Sequence, residues 1–121
     1  MTKLNDQISA AIGAHGLWKG RLRAAIDSGK AEVPVDVVQD DHQCSFGKWL
    51  YGPELTGNDK TSAHYKKCAD LHRRFHVAAA HVMALAVAGK RQDAAQALDG
   101  DEDFKKLSTE LTRALVAWKD A

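Results

Sequence analysis

The chain has 121 residues, with 17 lysines and arginines against 16 aspartates and glutamates, and a formal charge of +1 when its six histidines are neutral. That balance excludes an electrostatic footprint for nucleic acid or for an acidic membrane surface, and the length suits one domain that buries its own core without disulfides. The opening MTKLNDQISAAIGAHG has no apolar h-region and no membrane-length apolar run follows, so neither a signal peptide nor a span is expected.

The two cysteines, Cys44 and Cys68, are expected in a reducing cytoplasm, where thiols serve as buried hydrophobes, metal ligands or reactive groups more often than as staples. Along the chain, Leu4, Ile8, Ile12, Trp18, Leu22 and Ile26 recur every three or four residues, which predicts an amphipathic helix stopped by Ser28 and Gly29. His15 falls on that stripe, and a core-facing histidine needs a partner. The run KAEVPVDVVQDD, with Pro34 among β-branched residues, predicts an extended linker. Asp40 or Asp41 then N-caps a short helix over HQCSFGKWLYGPE that ends at Gly52 and Pro53, with Cys44 in its first turn. LTGNDKTS predicts a loop, with Asp59, Thr61 or Ser62 capping the next helix. That helix, from Ala63 to Ala88, carries Tyr65, Cys68, His72, Phe75 or His76, Ala79, Met83 and Ala86 on one broad stripe, so His72 and His76 also face the core. Gly89 and Lys90 turn the chain into a short helix from Arg91 to about Leu98. DGDED caps a last helix marked by Phe104, Leu107, Leu111, Leu115 and Trp118. The expected fold is all-α: an antiparallel four-helix-type bundle with an additional short helix carrying the cysteine, one domain over residues 1–121.

Three core-facing histidines from two helices and one thiol in a short helix make a chemical constellation. His72 and His76, four residues apart, project from one face about one turn apart and can meet one ion. A nitrogen from His15 on the facing helix and a thiolate would complete a tetrahedral N/S set, the preference of Zn2+. Iron in a helical bundle would also want carboxylates in Glu-x-x-His pairs, and no such pair is present; c-type haem would want C-x-x-C-H, which is also missing. The rival thiol is Cys68, which lies with His72 and His76 at i, i+4 and i+8. Three successive turns of one helix suit a compact tetrahedron poorly, so Cys44 is preferred. His42 reads as a solvated loop residue, with support of the thiolate as the alternative, and His64 and His81 as surface or packing residues. Trp18, Trp49 and Trp118 read as packing, Gly47 as a close backbone approach, and KGRLR as a solvated face.

The blocks HGLWK from His15, DHQCSFGKWLYG around Cys44 and LHRRFH from Leu71 resemble the three blocks of the bacterial chemoreceptor zinc-binding (CZB) domain family, in the family's order. The resemblance covers nearly the whole chain, and its most specific element is the cysteine before Phe-Gly-Lys-Trp. It implies one zinc in a helical bundle, held by His15, Cys44, His72 and His76. It also implies regulation, because the family is attached to chemoreceptor signalling domains and diguanylate cyclases and includes sensors of hypochlorous acid. No output segment is legible in the 121 residues, so the chain is expected to be a stand-alone member or one domain of a longer protein. A zinc closed by four protein ligands has no open position for activating water, so no enzyme activity is expected. Expected partners are the zinc ion, a chemoreceptor or diguanylate cyclase type signalling protein, and a second copy if a helix exposes an apolar stripe. The competing readings are a hemerythrin-like metal-binding carrier and a plain interaction bundle in which zinc is a structural pin.

Overall fold

The computed structural model describes residues 3–30, 34–40, 44–53, 55–100 and 103–120, leaving aside the side chains of Lys3, Ala14, His15, Ser45 and Asp103. These residues form seven helical segments and no strand: α1 (Lys3–Ser28), α2 (Val35–Gln39), α3 (Ser45–Leu50), α4 (Gly57–Thr61), α5 (Ala63–Val87), α6 (Arg91–Asp99) and α7 (Asp103–Asp120). The long helices follow the apolar stripes. On α1 the buried residues are Ile8, Ala11, Trp18, Leu22, Ala25 and Ile26, and on α7 they are Phe104, Leu111, Ala114, Leu115 and Trp118. No helix among the described residues is long and apolar enough to cross a membrane.

Cross-links between the helices fix their directions. Trp18 meets His76, and further along α1 Ala24, Ala25 and Ser28 line one groove with Met83, so α1 runs parallel to α5. Between them the chain returns through α2 and α3: the Val38 carbonyl reaches His76, Cys44 reaches His72, and the Leu50 carbonyl meets Tyr65. After α5, the pair α6 and α7 forms a second broken return arm, with Phe104 against Phe75 and Trp118 against Tyr65. The result is an up-down-up-down bundle whose second and fourth arms are interrupted, with the cysteine helix inside the second arm.

The ends of the elements are set by local chemistry. Gly29 and Gly89 take φ of 72° and 79°, a region that favours glycine, and close α1 and α5. At Gly89 the Lys90 N–H reaches the Leu85 carbonyl and the Gly89 N–H the Ala86 carbonyl, the two bonds of a Schellman turn. Arg91 donates to the Ile26 and Asp27 carbonyls and so satisfies the last turn of α1.

Three expectations need correction. Residues 35–39 are helical instead of extended, because Pro34 sits at the N-cap and its carbonyl accepts the Val37 and Val38 N–H groups, while Val38 is buried. Asp40 ends that helix and does not cap the next one. The N-cap of α3 is Cys44 itself; Asp41 and His42 lie outside the described residues. Within the expected loop, Gly57–Thr61 is a short helix, nucleated by a reciprocal capping box between Thr56 and Asp59 at 3.1 Å in both directions. Ser62 then caps α5, accepting the Tyr65 N–H at 3.1 Å.

Candidate metal centre

The site starts from the cap of α3. Cys44 has an extended backbone, and its Sγ accepts the Gly47 N–H at 3.2 Å, so the sulfur points back over the first turn of its own helix. Gly47 is buried there. That position holds the sulfur against α5, where His72 and His76 are each only 1% exposed. Both histidines turn Nε2 towards it: Sγ lies 3.4 Å from His72 Nε2 and 3.2 Å from His76 Nε2. All three ligand atoms lie within 4.8 Å of one another, and among the described residues they form the one such group, with no carboxylate in it.

The rings are oriented from behind. His76 Nδ1 lies 2.7 Å from the Val38 carbonyl oxygen, an acceptor, so the proton sits on Nδ1 and the Nε2 lone pair faces the sulfur. His72 is stacked on Phe46 with ring centroids 4.3 Å apart and planes 15° from parallel. Trp18 and Phe75 meet His76 edge-on at 5.4 and 5.8 Å. The cluster is thus walled by aromatic rings from three helices. The far end of α3 is held separately: Tyr65 donates its hydroxyl to the Leu50 carbonyl at 3.0 Å, and Lys60 donates to the Gly52 carbonyl at 2.9 Å.

The family model for the chemoreceptor zinc-binding domain matches residues 15–83. The chain belongs to that family. No curated protein and no solved structure matches the chain. The cofactor of a chemoreceptor zinc-binding domain is zinc, and the donors here fit it. Zinc–sulfur and zinc–nitrogen bonds of about 2.3 and 2.0 Å at a tetrahedral angle set the two donors about 3.5 Å apart, close to the spacings around Cys44. A thiolate with imidazole nitrogens is the mixed donor set of zinc, and the unprotonated Nε2 of His76 is the required form.

Of the four residues expected to form the site of this chemoreceptor zinc-binding domain, the structure brings Cys44, His72 and His76 together. His15 lies on α1 between Ala11 and Trp18, and its side chain falls outside the described residues. Cys68 does not join the cluster. It is fully buried, and burial pushes its thiol up to about 11, against a smaller opposing pull from Lys67. His64 and His81 are also outside the cluster, His81 on the exposed surface. Sequence reasoning missed Val38, which acts through its main chain and leaves no side-chain signature. It also treated Phe46 as a motif letter and Trp18 as packing alone, although an aromatic two residues after a candidate ligand cysteine is the available signal for a ring wall.

Proposed function

We propose that this domain is a cytoplasmic sensory module, not an enzyme, in which His15, Cys44, His72 and His76 hold one zinc and the cysteine carries the signal. The observation that supports the reading is the convergence of the Cys44 sulfur with two Nε2 atoms at 3.4 and 3.2 Å across two separate helices. His15 completes the set by register: it falls between buried Ala11 and Trp18 on the stripe of α1 that meets α5, and Trp18 touches His76. Four protein ligands close the coordination sphere, which leaves no position for a hydrolytic water.

The cysteine is the group that can change state. A metal-bound thiol is a thiolate, the nucleophilic form, and Cys44 is part-exposed where Cys68 is buried. Hypochlorous acid transfers its hydroxyl to the thiolate sulfur, giving a sulfenic acid and releasing chloride. Sulfenic acid is a poorer ligand, so α3 loosens at its N-terminus and a chemoreceptor or diguanylate cyclase type partner reads the change. Zinc depletion reaches the same state without an oxidant. A hemerythrin-like carrier is disfavoured because the cluster contains no carboxylate among the described residues.

Metal analysis of the purified protein, with a thiol assay before and after chelation, tests the reading. One zinc per chain and one thiol that becomes accessible on chelation are expected. Substoichiometric hypochlorous acid should modify Cys44 ahead of Cys68, and Cys68→Ser should keep its zinc. Oxidation of Cys68 first would end the sensor reading, while loss of zinc in Cys68→Ser would move the thiol ligand.

A further inference from the structure

The least self-sufficient element of the fold sits against the metal cluster. α2 is five residues long, three of them valine, and its N-cap Pro34 offers no side-chain bond. Such a segment spans little more than one turn, and β-branched residues add nothing to its helix propensity. Tertiary docking must therefore hold it. Val38 is 1% exposed, and its carbonyl, which belongs to the last turn and has no partner within so short a helix, accepts a hydrogen bond from His76 Nδ1–H, with Nδ1 2.7 Å away. The Asp40 N–H closes on the Val37 carbonyl and leaves the Val38 oxygen to the histidine.

We propose that α2 is a second reader of zinc occupancy, coupled to the site through the Val38 carbonyl and His76 and independent of the cysteine. The inference rests on the zinc site argued above and adds a positioning contact to it. A cation on Nε2 draws electron density from the ring and polarises the Nδ1–H, so its bond to Val38 strengthens when the site is loaded. Without the ion the Nδ1–H is less polarised and the other tautomer competes with it, so the polar anchor of α2 weakens. The coupling is reciprocal: whatever docks or undocks α2 changes zinc affinity by the same factor. The domain thus reports through two elements, α3 by way of the sulfur, the fastest target of oxidants, and α2 by way of an imidazole, a slower one.

Hydrogen exchange of the whole chain, loaded with zinc and stripped by chelator, is read together with zinc affinity from competition with a chromophoric chelator. Zinc should slow exchange over residues 35–40 as well as 45–50. In Cys44→Ser at saturating zinc, protection over 45–50 should vanish while that over 35–40 stays. Pro34→Gly, which loosens α2 and touches no ligand, should weaken zinc about 10- to 100-fold, the usual effect of removing an outer-shell partner, and leave the melting temperature of the stripped protein nearly unchanged. The Pro34→Gly arm decides even if Cys44→Ser retains no metal. Zinc bound at wild-type affinity in Pro34→Gly, or equal exchange over 35–40 with and without zinc, would overturn the coupling and leave the zinc site standing. Undiminished zinc in both Cys44→Ser and His76→Ala would instead place the ion elsewhere and remove both readings.

Discussion

At the scale of residues, the burial of His72 and His76 beside Cys44 fits a pair that holds an ion. An imidazole sealed in an apolar core costs stability unless both nitrogens are used. In His76 one nitrogen meets Val38 and the other faces Cys44. Replacing His76 with alanine should therefore release zinc and lower the melting temperature together. Leu98, also buried but on α6 away from the cluster, makes the comparison: Leu98→Ala should cost about 2–5 kcal/mol in denaturant unfolding and still bind one zinc per chain. Equal zinc loss in the two variants would mean that stability alone governs metal content. Cys68 adds a pH dependence. Its folded value, near 11, lies above the ordinary thiol value of 9.0, so the folded state keeps the proton longer than the unfolded chain does. The stability it contributes is complete below pH 9.0 and is lost as the pH rises through about 11. Tyr65, raised from 10.0 by burial, adds to the same decline. Urea midpoints between pH 8 and 11, measured in a Cys44→Ser background to silence the other thiol, should fall less steeply once Cys68 is also replaced by alanine.

At the scale of elements, α3 is a strap with unlike fastenings. Its N-terminus is held by the Cys44 sulfur and its C-terminus by Tyr65 and Lys60, whose bonds involve no metal ligand. Tyr65→Phe should cost on the order of 1 kcal/mol and leave zinc stoichiometry unchanged. If that variant loses zinc, the two fastenings are not independent. The strap also marks where sequence reasoning stops. The stripes of α1, α5 and α7 were legible because their apolar spacing is dictated by burial on one face, and His72 and His76 were legible with them. Cys44 was placed correctly at the start of a helix, yet its own role as cap was assigned to an aspartate, the residue type that usually does it. α2 was not legible at all. Valines and a proline argue for extended chain locally, and only the docking of Val38 beneath His76 reverses that preference, a tertiary effect with no local sign. α4 is the opposite case: the Thr56 and Asp59 spacing of its capping box stood in the sequence and was read as loop.

At the scale of the whole molecule, the bundle is closed by contacts that do not depend on the site. Arg91 caps α1, Asp99 pairs with Arg23 and lies 3.8 Å from Lys19, and Phe75 packs on Phe104. Two of the segments packed against His72 and His76 from outside α5, namely α2 through Val38 and α3 through Cys44, are 5 and 6 residues long, against 26, 25 and 18 for α1, α5 and α7. Removing zinc should therefore lower the melting temperature and change far-UV ellipticity only slightly. A collapse of helical signal on chelation would show that the ion organises the entire bundle, as in a zinc finger, and would contradict the division between a stable frame and a responsive arm.

Trp18 stands with its ring edge against His76, a candidate ligand, whereas Trp49 is one ring further away behind Phe46 and is paired with Trp118. The molecule therefore carries its own lamp beside the site. Loading a paramagnetic ion such as cobalt(II) in place of zinc would dim the emission of Trp18 more than that of the other two indoles, and displacement of α3 would alter the light from Trp49. One spectrum, resolved with Trp18→Phe, would then follow occupancy and arm movement as separate signals, without a label attached to the protein.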